Sequence, residues 1–147
     1  MKKYLALDLG DAWTGIAISD ALGIVARPYK TVAAETIVAE LQKILAEEKV
    51  GTIIIGYPKT MKGLESAQTK KVIAEKENLE KEFAQKFPDL SWILWDERLS
   101  SKRATAAKIE QGKKIKTKED KLKNHAIAAA FILDSYLAFK VVTYEEE

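Results

Sequence analysis

The segment that most constrains this chain runs from Tyr4 to Asp20, YLALDLGDAWTGIAISD. Leu5 and Leu7 alternate with Ala6 and Asp8 until Gly10 interrupts, and Ile16 and Ile18 alternate again beyond Gly15. Period-two patterning on both sides of a short glycine-bounded connection predicts a β-hairpin. Asp8 is the misfit. An unpaired carboxylate among apolar strand neighbours is costly or is driven to protonate. A chain that keeps one there supplies a cation, or ties the carboxylate into its own turn. Gly10 leaves room beside it for a ligand or another stretch of backbone. The stretch alone does not choose between these roles; other carboxylates reaching the same point would.

The rest of the chain alternates strands with helices. Leu22 to Val32 reads as a third strand, with Pro28 confining it to a sheet edge. From Thr36 to Lys49 the period changes: Ile37, Val38, Leu41, Ile44 and Leu45 share one helical face, and Gly51 marks the stop. Thr52 to Ile55 is a β-branched run of the kind buried on both faces in a parallel sheet, ended by Gly56-Tyr57-Pro58. A charged helix over about 65–86 follows, with a thin stripe of Val72, Leu79, Phe83 and Phe87. Ser91 to Trp95 is the next strand, and Ser100 and Ser101 are N-cap candidates for a helix that Gly112 terminates. Thr117 and Asp120 open a last helix carrying Leu122, His125, Ala129, Ile132 and Tyr136 on one face. A hairpin leading into strand–helix alternation predicts an α/β fold, a mixed sheet covered by helices.

With 147 residues the chain is read as one domain, 1–147. It has no cysteine, which excludes a disulfide framework and a thiolate zinc site. The longest apolar run, Ala126 to Leu133, is too short to span a bilayer, and Asp8 cuts the N-terminal apolar run short of a signal peptide. No membrane partner is expected, and the cytoplasm is the expected compartment. Net charge is only +2, so any attraction for a polyanion has to come from a local patch. One exists: six lysines, Lys113, Lys114, Lys116, Lys118, Lys121 and Lys123, crowd the approach to the last helix. They read either as a solvated connection or as a clamp for phosphates.

Asp96-Glu97 ends the strand that begins at Ser91. Ligands of alternating α/β folds collect at the carboxyl ends of the strands. If the strands ending in Asp8 and Asp96 run parallel through one between them, their ends lie two strand spacings, roughly 10 Å, apart. Hydrated divalent ions bridge such gaps between carboxylates, and they assist in-line phosphoryl displacement. An alternative for Asp96-Glu97 is to cap the next helix.

Taken in order, the Leu5–Asp20 stretch, Gly56-Tyr57-Pro58 with Gly63, Asp96-Glu97-Arg98-Leu99-Ser100-Ser101, and Ala128-Ala129 with Ile132-Leu133 resemble the YqgF family. These are ribonuclease H-like proteins regarded as pre-16S rRNA processing nucleases and also called Holliday junction resolvase-like. The resemblance covers nearly the whole chain. It implies a five-stranded mixed sheet that opens with an antiparallel meander and has helices on both faces. It further implies Asp8 and Glu97, with Asp96 a further candidate, as ligands of Mg²⁺ or Mn²⁺, and Arg98 as a phosphate contact.

The chain departs from the family pattern in three places. Asp11-Ala12-Trp13 occupies the hairpin turn where the family carries basic residues, so Trp13 becomes a stacking candidate for nucleic acid. Thr60 and Lys62 replace an asparagine and an acid. His125 stands where the family has its third acidic residue, and it is either a metal ligand of the catalytic group or a core residue of the last helix. The expected activity is metal-dependent endonucleolytic hydrolysis of structured RNA, with pre-rRNA the favoured substrate and Lys113, Lys114 and Lys116 holding phosphates. The competing readings are a resolvase of branched DNA and a nucleic-acid-binding protein that has lost catalysis. A monomer or weak homodimer is expected. An actin-like ATPase is excluded by size, since that fold needs two domains around its nucleotide.

Overall fold

The computed structural model describes residues 2–57, 66–96 and 118–146. Five strands form one sheet: β1 (Lys3–Asp8), β2 (Trp13–Ser19), β3 (Ala26–Ala33), β4 (Val50–Tyr57) and β5 (Ser91–Asp96). Their order is β3-β2-β1-β4-β5. β1–β2 and β2–β3 pair antiparallel, whereas β1–β4 and β4–β5 pair parallel. The sheet is therefore mixed and opens with a meander, as the patterning and the resemblance imply.

Strand alternation divides the core into two layers. Leu5 and Leu7, Ile16 and Ile18, and Ile53 and Ile55 face α1 (Ile37–Glu47) and α2 (Ala67–Phe83), which contribute Leu41, Ile44, Val72, Leu79 and Phe83. A single turn of 3-10 helix, Ala34–Thr36, leads into α1. Ser66 caps α2 in a reciprocal exchange with Thr69, so the helix starts slightly later than its charge pattern suggests. The opposite layer has small residues on β1 and β2. Ala6, Ala17 and Ile54 meet Ala129, Ile132, Leu133 and Leu137 of α3 (Lys118–Glu146).

Small side chains let α3 lie close to the sheet. A Cβ built on Gly15 would stand 1.8 Å from the His125 carbonyl oxygen and 2.9 Å from the Ala126 nitrogen. Only a hydrogen fits there. α3 then crosses the sheet obliquely. Near its start the Thr31 hydroxyl of β3 donates to the Leu122 carbonyl, and near its end the Trp95 indole of β5 donates to Ser135 Oγ at 3.2 Å. No helix among the described residues is long and apolar enough to cross a membrane.

One strand begins later than its apolar residues predict. Leu22, Ile24 and Val25 are not in β3 but in a turn, and all three are exposed. The Asp20 carboxylate accepts the Ile24 and Val25 amides at 2.7 and 2.8 Å, closing the chain on itself before β3 starts. Those two amides, Val25 foremost, hold the Asp20 carboxyl below its usual range.

Gly15→Ala is expected to destabilise the protein by at least about 1–3 kcal/mol, because α3 must lift from the sheet to admit a methyl group. Denaturant unfolding of the variant checks this; wild-type stability would mean that α3 tolerates the shift.

Candidate active site

Asp8 is the last residue of β1, at the carboxyl end that parallel strands turn towards ligands. Alternation from Ala6 puts its side chain in the α3 layer. Its antiparallel partner is Gly15, and Gly15 lies against the backbone of His125. Asp8 and the His125 backbone, 117 positions apart in the chain, thus both neighbour one glycine. His125 is only partly buried, on the border of the stripe formed by Ala126, Ala129, Leu133 and Leu137. Trp13 begins β2 on the same face, two residues from Gly15, and is also half-buried.

Asp96 lies elsewhere. Continuing the register one residue past Leu7, Ile55 and Leu94 gives a row of Asp8, Gly56 and Trp95 in the α3 layer. Trp95 is buried there against Tyr136 and Ser135. Asp96, the next residue, pairs with Tyr57 and points to the α1/α2 layer, where Tyr57 packs. The sheet itself therefore separates the Asp8 and Asp96 side chains. Glu97, Arg98, Lys113, Lys114 and Lys116 lie outside the described residues. Among the described residues no group of three His, Asp or Glu side chains could hold a metal ion.

A second polar cluster lies at the same end of the sheet, on the α1/α2 side. Leu9, Gly10, Asp11, Glu35, Lys71 and Glu75 border a cavity of about 340 Å³, and the Lys71 ammonium meets Asp11 at 3.0 Å. Burial raises the Glu75 carboxyl above its usual value; Asp11 adds to the rise and Lys71 opposes it. Gly10 and Asp11 belong to the hairpin turn read from the sequence, but nothing in the sequence patterning marked Glu35, Lys71 or Glu75. Gly15 was legible in principle, since a glycine inside a strand signals a close backbone approach.

A sheet of order β3-β2-β1-β4-β5, an opening meander, helices on both faces and an aspartate ending the first strand define the ribonuclease H-like class. Two solved structures share this fold. RuvC of T. thermophilus in complex with a Holliday junction substrate aligns with a TM-score of 0.60 at 14% identity, covering 96% of both chains. A second Thermus thermophilus RuvC structure gives 0.53 at 14% identity, covering 96% of this chain and 97% of that one.

The particular family follows from the sequence matches. The family described as "RuvX: Holliday junction resolvase" matches residues 2–139, and the chain belongs to it. Among similar proteins, one from Flavobacterium psychrophilum is 38% identical over 96% of this chain and 100% of its own length. One from Rubrobacter xylanophilus is 33% identical over 92% and 91%, and one from Acetivibrio thermocellus 36% identical over 94% and 96%. Each is named "Putative pre-16S rRNA nuclease".

Glu75 supplies a pH test of the cluster beside the hairpin turn. A carboxyl raised in the fold costs stability once pH passes its unfolded value, about 4.5, and the cost is complete above the folded value. Glu75→Gln is therefore expected to raise Tm at pH 7 and to have no effect below about pH 4. Thermal melts across that range check the sign; an equal effect at both ends would assign the change to packing.

Proposed function

We propose that this chain is a metal-dependent endonuclease that hydrolyses phosphodiester bonds in structured RNA, in the 5′-end processing of pre-16S rRNA. The observation that carries the reading is that Asp8 ends β1 opposite Gly15, against which the His125 backbone lies, in a member of the RuvX family. The relatives' names supply the substrate class.

The donor chemistry suits a divalent ion at Asp8, provided that a second acid joins from outside the described residues. Glu97, next to Asp96 in the sequence, is the acid that the family resemblance implies. Asp8 and Glu97 would hold Mg²⁺ or Mn²⁺, with His125 as a third ligand. Asp96 would act only on the reverse side of the sheet. When bound, such an ion supplies Lewis-acid polarisation of a phosphoryl oxygen. The protein's own share is to fix Asp8 on a strand end. Arg98, Lys113, Lys114 and Lys116 would hold flanking phosphates, and Trp13 would offer a stacking face. The protein would work in the cytoplasm as a monomer or weak homodimer.

Asp8→Asn and Glu97→Gln should each lower cleavage of a precursor 16S RNA fragment by more than roughly 100-fold, since each removes a direct ligand. RNA binding should persist. Undiminished cleavage by both variants would refute the assignment.

His125 favours a second reading, in which the chain binds nucleic acid without cutting it. Imidazole is a poorer partner than carboxylate for Mg²⁺ and a better one for transition ions. If His125 is a ligand, wild-type cleavage runs better with Mn²⁺ than with Mg²⁺, and His125→Asp raises the Mg²⁺-dependent rate. If neither ion supports cleavage and His125→Asp restores none, the non-catalytic reading holds.

A further inference from the structure

The first half of α3 and the edge strand β3 enclose a cleft that the proposed chemistry does not use. Its cavity is about 320 Å³, with Pro28 and Tyr29 on one wall and Leu122, Ala126 and Ile127 on the other. That is the lower end of the size range of small-molecule sites, roughly 300–1,000 Å³. The Thr31 hydroxyl, bonded to the Leu122 carbonyl, ties the two walls together, so the cleft is preformed. Among the described residues its charged lining consists of Lys30 and Lys123, without a carboxylate. Lys30 turns to Glu40 at 2.7 Å, while Lys123 is exposed.

The cleft is in register with Asp8. Asp8 pairs with Gly15 and Gly15 with Thr31, which places Thr31 two strand spacings, roughly 10 Å, from the end of β1. An apolar slot with an aromatic wall, a cationic rim and outward-facing backbone groups of an edge strand suits a splayed nucleobase and its phosphate. It suits a second copy of the chain poorly. β3 carries exposed Arg27 and Lys30, which would face the same charges on a partner strand, and Pro28 lacks the amide a strand ladder needs.

We propose that the β3–α3 cleft is a subsite for an unpaired nucleotide of the substrate strand, with the base on Tyr29 and Ile127 and its phosphate at Lys123. The subsite rests on the nuclease reading for its relation to Asp8, but its own test is binding. The probes are a single-stranded RNA carrying 2-aminopurine and the same strand with an abasic site, titrated into the full chain.

Wild type should quench 2-aminopurine and prefer the intact strand over the abasic one. Tyr29→Ala, at a residue already 36% exposed, should weaken binding roughly 5- to 150-fold and abolish that preference. Tyr29→Phe should keep both. Lys123→Ala should make the dependence of log K on log salt shallower by up to about 0.7. Asp8→Asn should bind as wild type does, so its loss of cleavage is read separately. Unchanged binding and base preference in Tyr29→Ala would overturn the subsite and leave the nuclease reading intact. A Tyr29-dependent preference in a protein that cuts no RNA would support the subsite and remove the nuclease reading. A dimer in sedimentation that dissociates on Tyr29→Ala, with no change in RNA affinity, would overturn the subsite in favour of a second copy.

Discussion

The structure depends on one close approach, the backbone of α3 at His125 and Ala126 lying where a side chain on Gly15 would be. Dispersion contacts fall off steeply with separation, so a helix held away from a sheet by even one methyl loses much of its packing. The glycine places α3 on β2, and the small residues Ala6, Ala17 and Ala129 carry the contact onward. Thr31 and Ser135 then fix the two halves of the helix to β3 and β5 through their side-chain hydroxyls. The oblique path of α3 follows from these anchors.

That path gives the two sheet faces different tasks. Large aliphatic side chains between the sheet and α1 and α2 form the bulkier core layer. The other face carries alanine and glycine on β1 and β2 beside the larger Ile54 and Trp95, and Gly15, the partner of Asp8, admits the helix backbone. A carboxylate at a strand end can keep contact with water while its strand is buried, and Asp8 is only partly buried. The acid sits at the last residue of β1 for the same reason that it would be costly in the middle.

Local patterning recovered most of the elements. The alternation of Leu5, Leu7, Ile16 and Ile18 carried the hairpin, and the β-branched run at Ile53–Ile55 carried the central strand. It failed at Leu22–Val25, where a polar side chain outcompeted the ladder for two amides. Composition marks Leu22, Ile24 and Val25 as strand residues, but hydrogen-bond competition from Asp20 is decided by geometry. Asp96 and Glu97 show another limit. Their adjacency in the chain leaves the direction of the Asp96 side chain open, and only the pairing of Asp96 with Tyr57 and the burial of Trp95 beneath α3 tell which layer it belongs to.

The sequence by itself determined the α/β class, the order of the described strands and helices and the RuvX family, because these reside in periodicity and in motifs read within short windows. It also determined that Asp8 is anomalous, since an acid amid apolar alternation is visible without coordinates. Only the tertiary structure decided that His125 meets the partner strand of Asp8, that Asp96 faces away, and that β3 and α3 enclose a cleft. Those facts depend on register and helix crossing. Both are set by contacts between residues tens of positions apart, whose sizes and hydrogen bonds no local window contains.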